Sequence, residues 1–109
     1  MKKIRIAAGI TAEQIVDYGF TNHHKANLYY VRQVGDMTTL NIKVNMETLQ
    51  GLMIDVLDEL FLQPYDYQYL LAENPSNTFA RNVSNNIEQI LNEMQDEGII
   101  EGYISGMYI

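Results

Sequence analysis

Cysteine and tryptophan are missing from this 109-residue chain, and proline and histidine occur only twice each. Serine occurs at three positions, Ser76, Ser84 and Ser105. Without cysteine there is no disulfide framework, no thiolate nucleophile and no thiolate zinc site. His23 and His24 are neighbours in a polar stretch, Thr21 to Lys25. Adjacent side chains diverge and no third nitrogen or sulfur ligand lies close by, so the pair reads as solvated loop and not as a metal site. None of the serines sits in G-x-S-x-G, and neither G-x-x-x-x-G-K-[ST] nor G-x-G-x-x-G occurs. The sequence therefore names no catalytic, metal or cofactor-binding residue, and a non-enzymatic protein is expected.

Long apolar runs are missing too. No segment reaches the roughly 18 apolar residues of a membrane helix. Arg5 cuts the apolar run of Met1 to Ile10 below the length of a signal-peptide core. Asn82-Val83-Ser84 matches the glycosylation sequon, which without a secretion signal is read as chance. The expected location is the cytoplasm, with no membrane contact.

Positive charge is scarce in the second half. Residues 1–45 carry six cations (Lys2, Lys3, Arg5, Lys25, Arg32, Lys43) against Glu13, Asp17 and Asp36, a balance of +3. Residues 46–109 carry Arg81 alone against eleven acids, a balance of −10, which leaves the whole at −7. Such blocks bear on partner choice and association rate more than on fold. Either copies attract head to tail, or the acidic half meets a basic partner, or the halves intermix in space and the asymmetry cancels. Direct nucleic-acid binding is disfavoured. A helix followed by Glu97-Gly98-Ile99-Ile100 is similar to the recognition helix and wing of winged-helix domains, but Glu88, Glu93, Asp96 and Glu97 would repel phosphates.

What is present is 47% hydrophobic residues and 19% charged ones, enough for one core and one domain over residues 1–109. Thr11-Ala12-Glu13-Gln14 fits a capping box, and Gly19 fits a left-handed stop, giving a helix from Ala12 to Tyr18. Lys3 to Ala7 is a short strand or an arm. Leu28 to Val34 and Thr38 to Val44 form a hairpin about Gly35-Asp36, with Leu40, Ile42 and Val44 on one face. Met46 to Leu62 reads as a long helix: Leu49, Leu52, Met53, Val56, Leu57, Leu60 and Phe61 follow the i, i+3, i+4 spacing, with Asn45 as cap. Phe79 to Glu97 is a second long helix, and Ile99 to Ile109 a terminal strand. The expected fold is α+β: a small, mainly antiparallel sheet of hairpin plus C-terminal strand, packed by two long helices and one short N-terminal helix.

Two sets of partner-binding residues follow. Asp55, Asp58 and Glu59 with Glu93, Asp96 and Glu97 form an acidic face for a basic groove. Tyr67, Tyr103, Met107 and Tyr108 form an aromatic and terminal-strand set. Within Pro64-Tyr-Asp-Tyr-Gln-Tyr-Leu-Leu71, a helix reading places Tyr65 and Tyr69 together and leaves Tyr67 to face a partner. The terminal strand, uncharged after Glu101, lacks the usual guards against pairing with a second chain, so a homo-oligomer is a second expectation.

Ile10-Thr-Ala-Glu-Gln-Ile-Val-Asp-Tyr-Gly-Phe20, and Asn85 through Tyr103, resemble in style small phage and prophage proteins of Gram-positive bacteria. That resemblance implies inhibition of a host defence or nuclease complex through the acidic surface, or a structural role in a particle. Sequestration of a nucleotide or other small ligand by tyrosines is the remaining alternative.

Overall fold

A computed structural model describes residues 4–23 and 26–104. The architecture is α+β. The chain begins with β1 (Arg5–Ile6) and α1 (Ala12–Tyr18), then β2 (Asn27–Gly35), β3 (Thr38–Asn45), β4 (Met53–Asp58) and β5 (Gln63–Pro64). It continues with α2 (Tyr67–Glu73), α3 (Thr78–Asp96) and β6 (Ile100–Glu101). Strands β2-β3-β4-β5 form one antiparallel sheet in sequence order, and β1 pairs with β6 in a second.

Local signals act as expected in three elements. The Thr11 hydroxyl accepts from the Gln14 N–H at 3.2 Å and the Gln14 side chain accepts from the Thr11 N–H at 2.9 Å, closing the capping box of α1. Gly19, at φ 144°, ends that helix by donating back to Ile15 and Val16. In the β2–β3 hairpin Tyr30 pairs with Ile42 and Arg32 with Leu40, and a bulge between Gln33 and Gly35 leads into the turn. α3 is capped by Asn77, whose side chain accepts from the Ala80 N–H at 3.0 Å.

The segment Met46 to Leu62 is not a helix. Asn45 does cap, accepting from the N–H groups of Glu47 and Thr48 at 2.9 and 3.0 Å, but what it closes is a single turn. Leu49 and Gly51 then take positive φ, 55° and 70°, which no helix interior accommodates. Beyond them Met53 to Asp58 pairs with β3 from Lys43↔Met53 to Thr38↔Asp58. The same residues carry a period of two: Ile54 and Val56 share the face of Ile42 and Leu40, while Met53, Asp55 and Leu57 face the other way. A short apolar run satisfies both periods, and the ladder offered by β3 decides between them.

One face of the four-stranded sheet carries Leu28, Tyr30, Leu40, Ile42 and Val44, all buried. Across the core α3 supplies Val83, Ile87, Ile90, Leu91 and Met94. Helix and strand approach closely at Gly35, where a Cβ would stand 3.0 Å from Val83 Cγ2 and 3.1 Å from Phe79 Cζ. Asn86 Nδ2 donates to the Val34 carbonyl at 2.8 Å, so one of the asparagines that weaken α3 as a helix ties it to the strand bulge instead.

The C-terminal strand does not join the hairpin. β6 spans two residues, pairs with β1 (Arg5↔Glu101, Ile6↔Ile100) and stops before Gly102, which has φ 87°. Among the described residues the expected single sheet with two long helices is thus two sheets with one long helix and two short ones.

Candidate interaction surface

Two turns meet at one end of the larger sheet. Asp36 and Met37 join β2 to β3, and Glu59 to Leu62 join β4 to β5. Asp58 builds the second turn, its Oδ1 accepting from the N–H of Leu60 at 2.9 Å and of Phe61 at 3.2 Å. The Glu59 N–H donates to the Met37 carbonyl at 2.8 Å, and its carboxylate accepts from the Thr39 hydroxyl at 2.6 Å, which staples one turn to the other. Met37 and Leu62 hold φ of 53° and 52°, a conformation uncommon for bulky residues.

This bracing presents apolar side chains outward. Leu60, Phe61 and Leu62 are 62%, 69% and 83% exposed, with Met37 exposed beside them. On the helix side of this end Phe79 is also exposed, packing edge-on against Tyr65 with centroids 5.8 Å apart. Burial, and then the neighbouring Asp58 carboxylate, push the Tyr65 hydroxyl above its ordinary pKa of 10.0. The tip is thus an apolar cluster with Asp36, Asp58 and Glu59 around its base. Exposed apolar side chains in isolation are ordinary; a contiguous run held by turn geometry is the pattern that marks an interaction site.

The six carboxylates of the expected acidic face do not share one surface. Asp55 lies on the outer sheet face opposite Asn41, and Asp58 and Glu59 serve the turn. Glu93, Asp96 and Glu97 are exposed near the far end of α3. α3 packs on the inner face, and about 20 Å of helix separates Phe79 from Glu93. The charge halves also intermix. Arg5 pairs with Glu101 at 3.0 Å. Arg32 lies 5.2 Å from the Tyr30 ring centroid and acts on Tyr18 together with Glu93 and Glu97. Burial pushes the Tyr18 hydroxyl up; Tyr30, Glu93 and Glu97 add to the rise and Arg32 opposes it.

The tyrosines also move. Tyr67 is 4% exposed at the start of α2 and belongs to the core, since Asp66 rather than Pro64 starts that helix, its Oδ1 accepting from the Tyr69 N–H at 3.1 Å. Its ring is turned inward, and Tyr69 is the exposed one. Tyr103 is likewise 4% exposed. Gln95 clamps its backbone at 2.9 and 3.0 Å, and its hydroxyl donates to Glu88 at 2.9 Å. Neither can anchor a partner without leaving the core. Met107 and Tyr108 lie outside the described residues.

At the opposite end of the sheet a hollow of about 630 Å³ is lined chiefly by Ile4, Ile6, Ala7, Ile10, Leu49 and Leu52, with no aromatic side chain among the described residues of its wall. His23 is exposed. Among the described residues no group of three or more His, Cys, Asp or Glu could hold a metal ion, and no helix is long and apolar enough to cross a membrane.

No family model matches the chain, and no curated protein does. Among solved structures, the crystal structure of a DUF1831 family protein from Lactobacillus plantarum is similar over 93% of this chain and 87% of that one, with a TM-score of 0.69 and 15% identity. At that identity the likeness is one of fold.

Proposed function

We propose that this is a non-enzymatic protein-binding module that docks through the braced apolar tip at Met37 and Leu60–Leu62. The observation that carries the reading is the exposure of three consecutive large apolar side chains on a turn that hydrogen bonds hold rigid. A pre-ordered loop loses little conformational entropy on docking, and aromatic anchors seated in a partner's pocket dominate interface energetics. Asp36, Asp58 and Glu59 around the tip favour a partner groove with an apolar floor and a basic rim. The same carboxylates and the net charge of −7 disfavour an anionic lipid surface.

Inhibition of a basic host complex through the six carboxylates draws less support, because the sheet and α3 divide them between two faces. The test is a matched capture from a bacterial lysate. Baits are the wild type, Phe61→Ser, and Glu93→Gln/Asp96→Gln/Glu97→Gln, with the retained protein then purified and titrated. The reading expects the α3 variant to bind as the wild type does and Phe61→Ser to bind about thirtyfold more weakly, an anchor's share of about 2 kcal/mol. Equal binding by Phe61→Ser would remove the tip from the function.

A further inference from the structure

The outer edge of β4 is only partly covered. β5 pairs with Leu57 and Asp58, and the Tyr65 N–H donates to the Val56 carbonyl at 2.8 Å. At Asp66 the chain turns away into α2, and no strand of the described residues lies beside Met53 to Asp55 on that side. In an antiparallel ladder alternate residues direct their N–H and C=O to the same side. Val56 bonds toward Tyr65, so Ile54, two residues earlier, directs its N–H and C=O outward along this edge.

Beneath the edge lies a cavity of about 230 Å³ between β4 and the start of α2, with Ile54, Val56, Tyr65, Tyr67 and Ile87 in its wall. Asp55 and Asp66 belong to the same lining, which contains no lysine or arginine among the described residues. We propose that this edge and cavity bind an extended peptide segment by strand addition, with an apolar side chain in the cavity and basic residues beside Asp55 and Asp66. Main-chain bonds to Ile54 would supply the pairing, and the cavity and the two carboxylates the selectivity. The incoming strand continues the line that β5 leaves at Tyr65. A second copy of this chain fits less well, because copies of net charge −7 repel each other and the described residues of the lining offer them no cation. This site stands apart from the tip.

The probe is a capped peptide, Lys-Val-Lys-Val-Lys, titrated into the full chain and followed by backbone amide shifts and hydrogen exchange. Binding should shift and protect the Ile54 amide. Methylating the peptide's amides in one alternate frame should abolish binding, and methylating the other frame should leave it, since only one frame faces the strand. Asp55→Asn/Asp66→Asn should weaken binding about fivefold, as expected for two exposed ion pairs, while Asn at position 66 keeps the helix cap. Phe61→Ser should leave peptide binding unchanged, which separates this site from the tip. The proposal is overturned if the Ile54 amide stays unprotected, if both methylation frames act alike, or if Glu-Val-Glu-Val-Glu binds equally well. A concentration-dependent dimer that protects Ile54 without peptide would assign the edge to a second copy and overturn it too.

Discussion

Replacing Gly35 by alanine tests the close approach of α3 to the sheet. The added Cβ would meet Val83 Cγ2 at 3.0 Å and Phe79 Cζ at 3.1 Å. Phe79 is exposed and its ring can swing, but Val83 is fully buried and has nowhere to go. Overpacking of this kind costs roughly 2 kcal/mol, and the lost freedom of the unfolded glycine returns about 0.5 kcal/mol. The net expectation is a loss of about 1.5 kcal/mol, or about 6 °C in Tm for a domain of this length. Urea unfolding followed by circular dichroism reads it directly. Val83→Ala alone should cost about 2 kcal/mol for the methyl groups it deletes, yet the double variant should cost about 1 kcal/mol less than the two losses added, because it makes room for the new Cβ. A Gly35→Ala protein within 0.5 kcal/mol of wild type, or strictly additive losses, would refute the packing argument.

Ser84 is buried in α3, and its hydroxyl has no hydrogen-bond partner among the described residues. Ser84→Ala should therefore raise stability by about 1 kcal/mol, read as a higher urea midpoint with the slope unchanged, and a loss would contradict it. Tyr65 is raised above its ordinary pKa by burial and then by Asp58. The folded state thus holds the phenolic proton more tightly than the unfolded state does, so this contribution is complete below pH 10 and declines as pH climbs through the folded value. Tyr65→Phe should flatten the fall in stability as pH rises above 10; an unchanged slope would show that Tyr65 does not couple to folding.

The elements whose signals are local were legible in the sequence. The α1 capping box needs only Thr11 and Gln14, the hairpin only alternation around Gly35-Asp36, and α3 only its apolar stripe. Met46 to Leu62 was misread because Leu49, Met53, Val56 and Leu60 satisfy a helical spacing while Ile54 and Val56 satisfy a strand, and the deciding partner, β3, is a tertiary fact. That misreading hid the tip. The helical reading puts Leu60 and Phe61 on an apolar stripe, although Gly51 inside the segment argues against one continuous helix. Three consecutive apolar residues just after the Asp58-Glu59 pair were the available signal for an exposed turn. Tyr67 was misplaced for a related reason. The helix reading of Pro64 to Leu71 leaves Tyr67 facing outward, whereas the Asp66 carboxylate caps the helix and Tyr67 turns inward with Tyr69 out. The charge partition carries little, because folding brings Arg5 to Glu101 and sets Arg32 against Glu93 and Glu97 around the Tyr18 hydroxyl.

The most direct test of the tip is photocrosslinking in cells. A photoreactive phenylalanine analogue is placed singly at Leu60, Phe61 and Leu62, and as controls at Glu73 and Asn92, which are exposed elsewhere. The tip positions should yield one discrete adduct to another protein that the control positions do not give. Adducts of equal yield from all five positions, or adducts to the same partner from Glu73 and Asn92 alone, would contradict docking through the tip.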